Sequence, residues 1–132
     1  MIIAQGEDLP VEYKNWLTEQ TGVNFPENNN IIGYFSHDGF GIVGFKNYYK
    51  NTDIEIIVAG RGSWLNKALL KHIFTYIFRT LNCKRLTARI ENKNSKSINL
   101  VTRLGFVKEG ELRGLDTGIY SLLKQECKWV VH

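Results

Sequence analysis

The order strand, glycine-containing break, amphipathic helix, strand between Thr52 and Ile90 constrains this 132-residue chain more than any other feature. Thr52 to Val58 alternates Asp53, Glu55 and Ile57 on one face with Ile54, Ile56 and Val58 on the other. Ala59-Gly60-Arg61-Gly62-Ser63 reads as a flexible connection, and Ser63 has the side chain of an N-cap for a helix over 64–81. That helix carries an apolar stripe of Leu65, Ala68/Leu69, Ile73, Tyr76/Ile77 and Leu81, with Lys67, Lys71, Thr75 and Arg79 on its wet face. Lys84 to Ile90 is the next strand. Two strands joined through a helix run parallel, so the sheet must contain one parallel pair.

The remaining segments point to antiparallel neighbours. Pro10 opens a short helix over Val11–Gln20, which Thr21-Gly22 stops, and Pro26–Asn30 reads as a loop. Ile31–Phe35 and Phe40–Phe45 form a hairpin through His37-Asp38-Gly39. Asn94 and Ser95 open a second helix with Ile98, Val101 and Leu104 as its apolar positions. Gly105 supplies the positive φ that ends this helix, and Phe106 folds back on its last turn. Phe106–Lys108 begins a strand, Arg113–Gly118 is a turn, and Ile119–Trp129 is a last strand. Its end, Trp129-Val130-Val131, is free to pair with a second copy as a homodimer. The expected fold is a mixed α+β domain over residues 1–132, with a central mixed sheet, one parallel strand pair and helices on both faces.

With 43% hydrophobic and 23% charged residues, the chain is neither disordered nor fibrous. No apolar run approaches the ~20 residues that span a bilayer. The opening Met1–Asp8 is acidic and too short in apolar residues for a signal peptide. Cys83 and Cys127 lack zinc-ligand spacing and read as buried thiols in a reducing cytoplasm, and no metal constellation is visible. The charge is divided unevenly. Residues 1–60 hold three lysines against eight carboxylates, net −5, and residues 61–132 hold fourteen lysines and arginines against five carboxylates, net +9. A basic half calls for an anionic partner, either a phosphorylated small molecule or a nucleic acid, unless the lysines are simply solvated.

Val58 to Leu70 combines a strand end, glycines and a helix start, a combination that presents unpaired amides to a phosphate. Its spacing fits neither a Walker loop nor a dinucleotide fingerprint. Further on, Asn94-Ser95-Lys96-Ser97-Ile98-Asn99-Leu100 and Leu104-Gly105-Phe106 through Glu109-Gly110-Glu111-Leu112-Arg113 resemble the second acetyl-CoA-contacting segment of the GCN5-related N-acetyltransferase (GNAT) superfamily. The likeness is to the branch that includes ribosomal-protein N-terminal acetyltransferases. Trp16, Ile32-Gly33, Gly44-Phe45, Asn47-Tyr48, Glu55, Ser63-Trp64-Leu65 and Glu126-Cys127-Lys128-Trp129 extend it to small acetyltransferase-like proteins of tailed bacteriophages, which implies a host cytoplasm as location.

This resemblance implies acetyl-CoA as cosubstrate and an amine, of a protein or peptide, as acceptor. The amides of Gly60, Arg61, Gly62, Ser63, Trp64 and Asn66 would take the pyrophosphate, and Val58 and Ala59 would pair with the pantetheine as a strand does. Asn94 and Ser97 would face the cofactor from the other arm, and Lys67, Lys71 or Lys96 would meet the 3′-phosphate. Trp64 and Asn66 stand where the family has glycines, so either the indole blocks the pyrophosphate or Gly60 and Gly62 replace those glycines. Glu55, on a strand rich in isoleucine, is the expected general base, made effective by burial beside Ile57; the alternative is a carboxylate paired with a nearby base. Val101 occupies the family's tyrosine position, leaving Tyr120 as substitute acid or as a sheet-packing tyrosine. Two other functions remain open. One is an acetyltransferase-like protein that binds without catalysis; the other is a nucleic-acid binder using Lys84, Arg85, Arg89, Lys93 and Lys96, where stacking aromatics are missing.

Overall fold

The parallel pair sits where the crossover requires it. In the computed structural model, which describes residues 2–25 and 30–130, β4 (Asp53–Gly62) and β5 (Arg85–Glu91) run parallel, with Asp53 opposite Arg85 and Glu55 opposite Thr87. Helix α2 (Lys67–Thr75) lies between them in sequence and passes into a π-helical turn over Tyr76–Thr80. The other strands are β1 (Ile2–Gln5), β2 (Ile31–Ser36), β3 (Gly39–Tyr49), β6 (Val107–Leu112) and β7 (Thr117–Leu123); the other α-helices are α1 (Val11–Thr21) and α3 (Ser95–Leu104). The described strands form one seven-stranded sheet in the order β1-β2-β3-β4-β5-β7-β6. No helix of the described residues is long and apolar enough to cross a membrane.

The chain divides into two compact units, Met1–Lys46 with Ile56–Lys67, and Asn47–Glu55 with Ala68–His132. In the first, Leu9, Leu17, Phe25, Ile31, Ile42 and Ile57 form a buried core. Phe35 and Phe40 face each other across β2 and β3, and Tyr13 and Trp16 of α1 pack edge-on against them. The neighbouring register pair, Tyr34 and Gly41, points to the opposite face of the same strands. In the second unit, Leu86, Ala88, Ile90, Tyr120 and Leu122 are buried on one face of β5 and β7, while Arg85, Thr87, Arg89 and Ser121 lie on the other.

Local signals in α3 hold. Asn94 is its N-cap, accepting the Ser97 N–H at 3.2 Å, and Gly105 ends it at φ +101, where the Phe106 N–H reaches back to the Val101 carbonyl. Replacing Asn94 with alanine should cost about 1 kcal/mol of stability, read by urea unfolding.

Several expectations are corrected. The segment 59–63 is not a flexible connection, since β4 continues through Gly62. Ser63 is not the N-cap of a helix over 64–81, because α2 starts only at Lys67 and the Ser63 N–H is bonded to the Asp38 carbonyl at 3.1 Å. The alternation in β4 slips after Glu55: Ile54 and Ile57, three apart, are both buried, and Val58 is 42% exposed. The apolar stripe is wider than expected, taking in Phe74 of α2 and Phe78 of the π-helical turn, whereas Ala68 is exposed. Ile2–Gln5, read only as a leader test, is an edge strand paired with β2. The last strand stops at Leu123, where Glu126 accepts the Leu123 N–H and closes a 3₁₀ turn, so Trp129 and Val130 are not strand residues. Moreover β7 lies between β5 and β6, which removes the terminal strand as a pairing edge. The loop expected at Pro26–Asn30 lies, apart from Asn30, outside the described residues, as do Val131 and His132.

Candidate active site

Residues 58–64 are held by contacts within the first unit. The hairpin turn Asp38-Gly39 packs on them so closely that a Cβ on Gly39 would fall 2.2 Å from the Arg61 carbonyl oxygen. Gly62 has φ +69, and a Cβ there would meet the Asp38 carbonyl oxygen at 2.2 Å. The Ser36 hydroxyl donates to the Gly39 and Ser63 carbonyls, both at 3.1 Å. Arg61 lays its guanidinium over the Trp16 ring, 5.3 Å from the centroid. Ala59 packs against the core, while Val58 is exposed.

Trp64 is turned onto the sheet. Its indole stacks on Tyr34 with ring centroids 6.4 Å apart. A Cβ on Gly41 would lie 2.2 Å from the indole, and one on Gly60 would lie 2.1 Å from its nitrogen. These two glycines clear a slot for the ring, a role that sequence reading missed because Gly41 is 23 residues from Trp64 and only the fold brings them together. Asn66 immediately precedes α2.

The second unit presents a polar sheet face. Asp53 accepts from Thr87 at 2.8 Å and pairs with Arg85 at 3.5 Å. Arg85 reaches on to Glu109, whose other oxygen accepts from Ser121 at 3.1 Å. Glu109 lies on this face by alternation, two residues after Val107, which is opposite Ser121; the register of β6 shifts between Lys108 and Gly110. Its hydrogen bond with Arg85 holds the Glu109 carboxyl below the usual carboxylate range and raises the Arg85 guanidinium. A lowered folded-state value stabilises the fold above the ordinary carboxylate titration and loses that contribution as pH falls through it. Because Glu109 is 39% exposed, its share is small, about 0–1 kcal/mol. Glu109→Gln should therefore flatten the stability–pH curve between about pH 5 and pH 3, read by urea melts at each pH.

Glu55 lies on the same polar face. Its Oε1 accepts from the Asn47 side-chain amide at 3.0 Å and pairs with Arg89 Nε at 3.4 Å. The side chain is 13% exposed, and Oε2 has no hydrogen-bond partner among the described residues. Arg89 is thus the nearby base with which this carboxylate pairs. Tyr120 is buried on β7 opposite Ala88, whereas Glu55, Thr87 and Ser121 are in register on the other face. The two expected catalytic groups thus point away from each other. At α3, Asn94 caps the helix beside Ser97, with Lys96 exposed between them. Of the five cations considered for nucleic acid, Arg85, Arg89 and Lys93 are tied to carboxylates. Burial pushes up both the Cys83 and Cys127 thiols.

A family model of the acetyltransferase (GNAT) domain matches residues 12–117. The chain belongs to the GNAT acetyltransferase family. An uncharacterized N-acetyltransferase p20 of Bacillus licheniformis is 35% identical over an alignment covering 51% of this chain and 44% of that protein, so the GNAT chain spans less than half the length of this curated relative. Among solved structures, an F149A mutant of the spermidine N-acetyltransferase SpeG from Vibrio cholerae aligns at TM-score 0.70 with 16% identity, covering 98% of both chains. Campylobacter jejuni N-acetyltransferase PseH, in complex with acetyl coenzyme A, aligns at TM-score 0.55 with 18% identity, covering 73% of this chain and 70% of that one. At such identities these two establish the GNAT fold, with its mixed sheet and one parallel pair.

Proposed function

We propose that this chain transfers the acetyl group of acetyl-CoA to an amine, with Glu55 as general base. The observation that carries the reading is the state of Glu55: one carboxylate oxygen is tied to Asn47 and Arg89, and the other has no partner among the described residues. Glu55 also lies three positions before the extended Val58–Arg61 stretch of the same strand. That extended backbone, with exposed Val58, Gly60 and Arg61, fits a pantetheine arm paired as a strand would be, and the capped start of α3 fits a second contact through Asn94 and Ser97.

Acetyl-CoA supplies an activated thioester. Glu55 takes a proton from the acceptor ammonium, which frees the nitrogen lone pair for attack on the acetyl carbon. A nitrogen–carbon bond replaces the carbon–sulfur bond, and the second amine proton passes through water to the departing thiolate. No side-chain acid is required, because a thiol releases its proton near pH 8.5 and the thiolate is a good leaving group. For the acceptor we favour a protein or peptide amine, on the likeness of Asn94–Arg113 to ribosomal-protein acetyltransferases. The buried, unbridged Cys83 and Cys127 suit a reducing cytoplasm, that of a bacterial host on the phage-protein likeness.

A second reading, a binding protein without catalysis, has one specific observation in its favour. Trp64 covers Gly60, and the Ser63 N–H is already bonded to Asp38, which leaves fewer amides for a pyrophosphate. Calorimetric titration of acetyl-CoA into the full chain decides between them. Under the first reading, binding is in the micromolar range, and Arg61→Ala and Asn94→Ala each weaken it by about tenfold. Absence of heat at millimolar acetyl-CoA rejects that reading and leaves the second.

A further inference from the structure

Asn47 is an exposed residue within β3 whose backbone is left-handed, at φ +52. In a strand interior that conformation marks a kink or bulge, and an exposed side chain gains nothing from packing there. What the kink achieves is direction: the Asn47 amide is delivered to Glu55 Oε1 at 3.0 Å. Arg89 Nε approaches the same oxygen at 3.4 Å from β5, but as a half-exposed side chain. The charged groups facing Glu55 are thus Arg89 across the sheet and Asp53 two residues earlier on its own strand, the latter already occupied by Thr87 and Arg85.

We infer that Asn47 is a positioning residue for the proton transfer: its strained backbone and side-chain amide fix Glu55 by Oε1 so that Oε2 is presented to the acceptor nitrogen. This rests on the reading of Glu55 as general base. Glycine, which adopts a positive φ without strain, separates the two roles of Asn47 because it keeps the backbone and deletes the amide.

The test compares wild type, Asn47→Gly, Asn47→Asp and Glu55→Gln in the full chain, following CoA release from acetyl-CoA with spermidine and with a lysine-bearing peptide as acceptors. The Asn47 side-chain amide is followed in parallel by NMR on ¹⁵N-labelled protein as pH is lowered. Asn47→Gly should hold or gain thermal stability yet lose about tenfold in kcat, with KM for acetyl-CoA unchanged. Asn47→Asp, which sets a second carboxylate against Glu55, should lose more. The wild-type Asn47 amide resonance should titrate with pH, and this response should vanish in Glu55→Gln. Wild-type kcat in Asn47→Gly, alongside an impaired Glu55→Gln, overturns the inference and leaves the base standing. Wild-type turnover in Glu55→Gln removes the base and the inference together. An amide resonance indifferent to pH and to Glu55→Gln overturns the inference whatever the acceptor.

Discussion

Gly41→Ala should destabilise the chain by about 2–3 kcal/mol, a drop of roughly 10 °C in Tm, through a contact with a residue 23 positions away. The added methyl would lie 2.2 Å from the Trp64 indole, and the ring cannot retreat without leaving Tyr34. Trp64→Ala alone should cost a similar amount, because it empties a half-buried slot. Combined, the two changes should cost distinctly less than their sum, by about 2 kcal/mol, since a methyl at position 41 then has space. Thermal and urea unfolding of the four proteins measures this coupling. Gly110→Ala, with no atom within 4 Å of the new methyl, is the control and should stay within about 0.5 kcal/mol of wild type. Strict additivity would mean that the indole does not rest on Gly41 in solution.

Glu55→Gln should lower kcat for acetyl transfer by about 10²–10³-fold while leaving acetyl-CoA affinity unchanged. The amide has the shape of the carboxyl group but cannot take up the proton of an incoming ammonium. Its loss of the Arg89 pair should matter little for stability, because Arg89 is half exposed and such pairs contribute about 0–1 kcal/mol. Activity and Tm should therefore separate. Steady-state CoA release, set beside calorimetric binding of acetyl-CoA, provides the comparison. Equal losses in turnover and Tm would assign Glu55 to the scaffold.

The parts of this fold legible in the sequence are those written in neighbouring residues. Asn94 three positions before Ser97, and Gly105-Phe106 after the helix, state both ends of α3 within a dozen residues. The parallel pair is legible for a topological reason, since a strand–helix–strand succession leaves no alternative. Ser63 shows the opposite case. Its side chain suits a helix cap, but the Asp38-Gly39 turn, brought in by the hairpin, takes its N–H, and nothing near Ser63 announces that partner. Gly60 reads as part of a flexible connection and Gly41 as an ordinary strand residue, when both clear space for an indole. At the candidate site, Glu55 stood out as an acid on an isoleucine-rich strand. Its setting did not, because Asn47 and Arg89 come from two other strands and only sheet register brings them there. Tyr120, offered only as a substitute for the family's tyrosine or as a sheet-packing residue, is turned by the same register to the opposite face.

The division of the chain into two interleaved compact units bears on how it can be synthesised and cut. Each unit is assembled from two separate stretches, and β4 donates its first three residues to one and the rest to the other. A ribosome releasing the first 46 residues has not yet made Ile57, and it must deliver a piece of the second unit before the first can close. Ile31 and Ile42 therefore wait uncovered by Ile57 while translation proceeds, at the stage when a chaperone would be most useful. A cut after Lys67 keeps both stretches of the first unit but carries Asn47–Glu55 with them, so no single truncation isolates either unit. A fragment designed to isolate Glu55 with its partners would have to join Asn47–Glu55 to Ala68 by a new linker, as nature's own connection runs through the other unit.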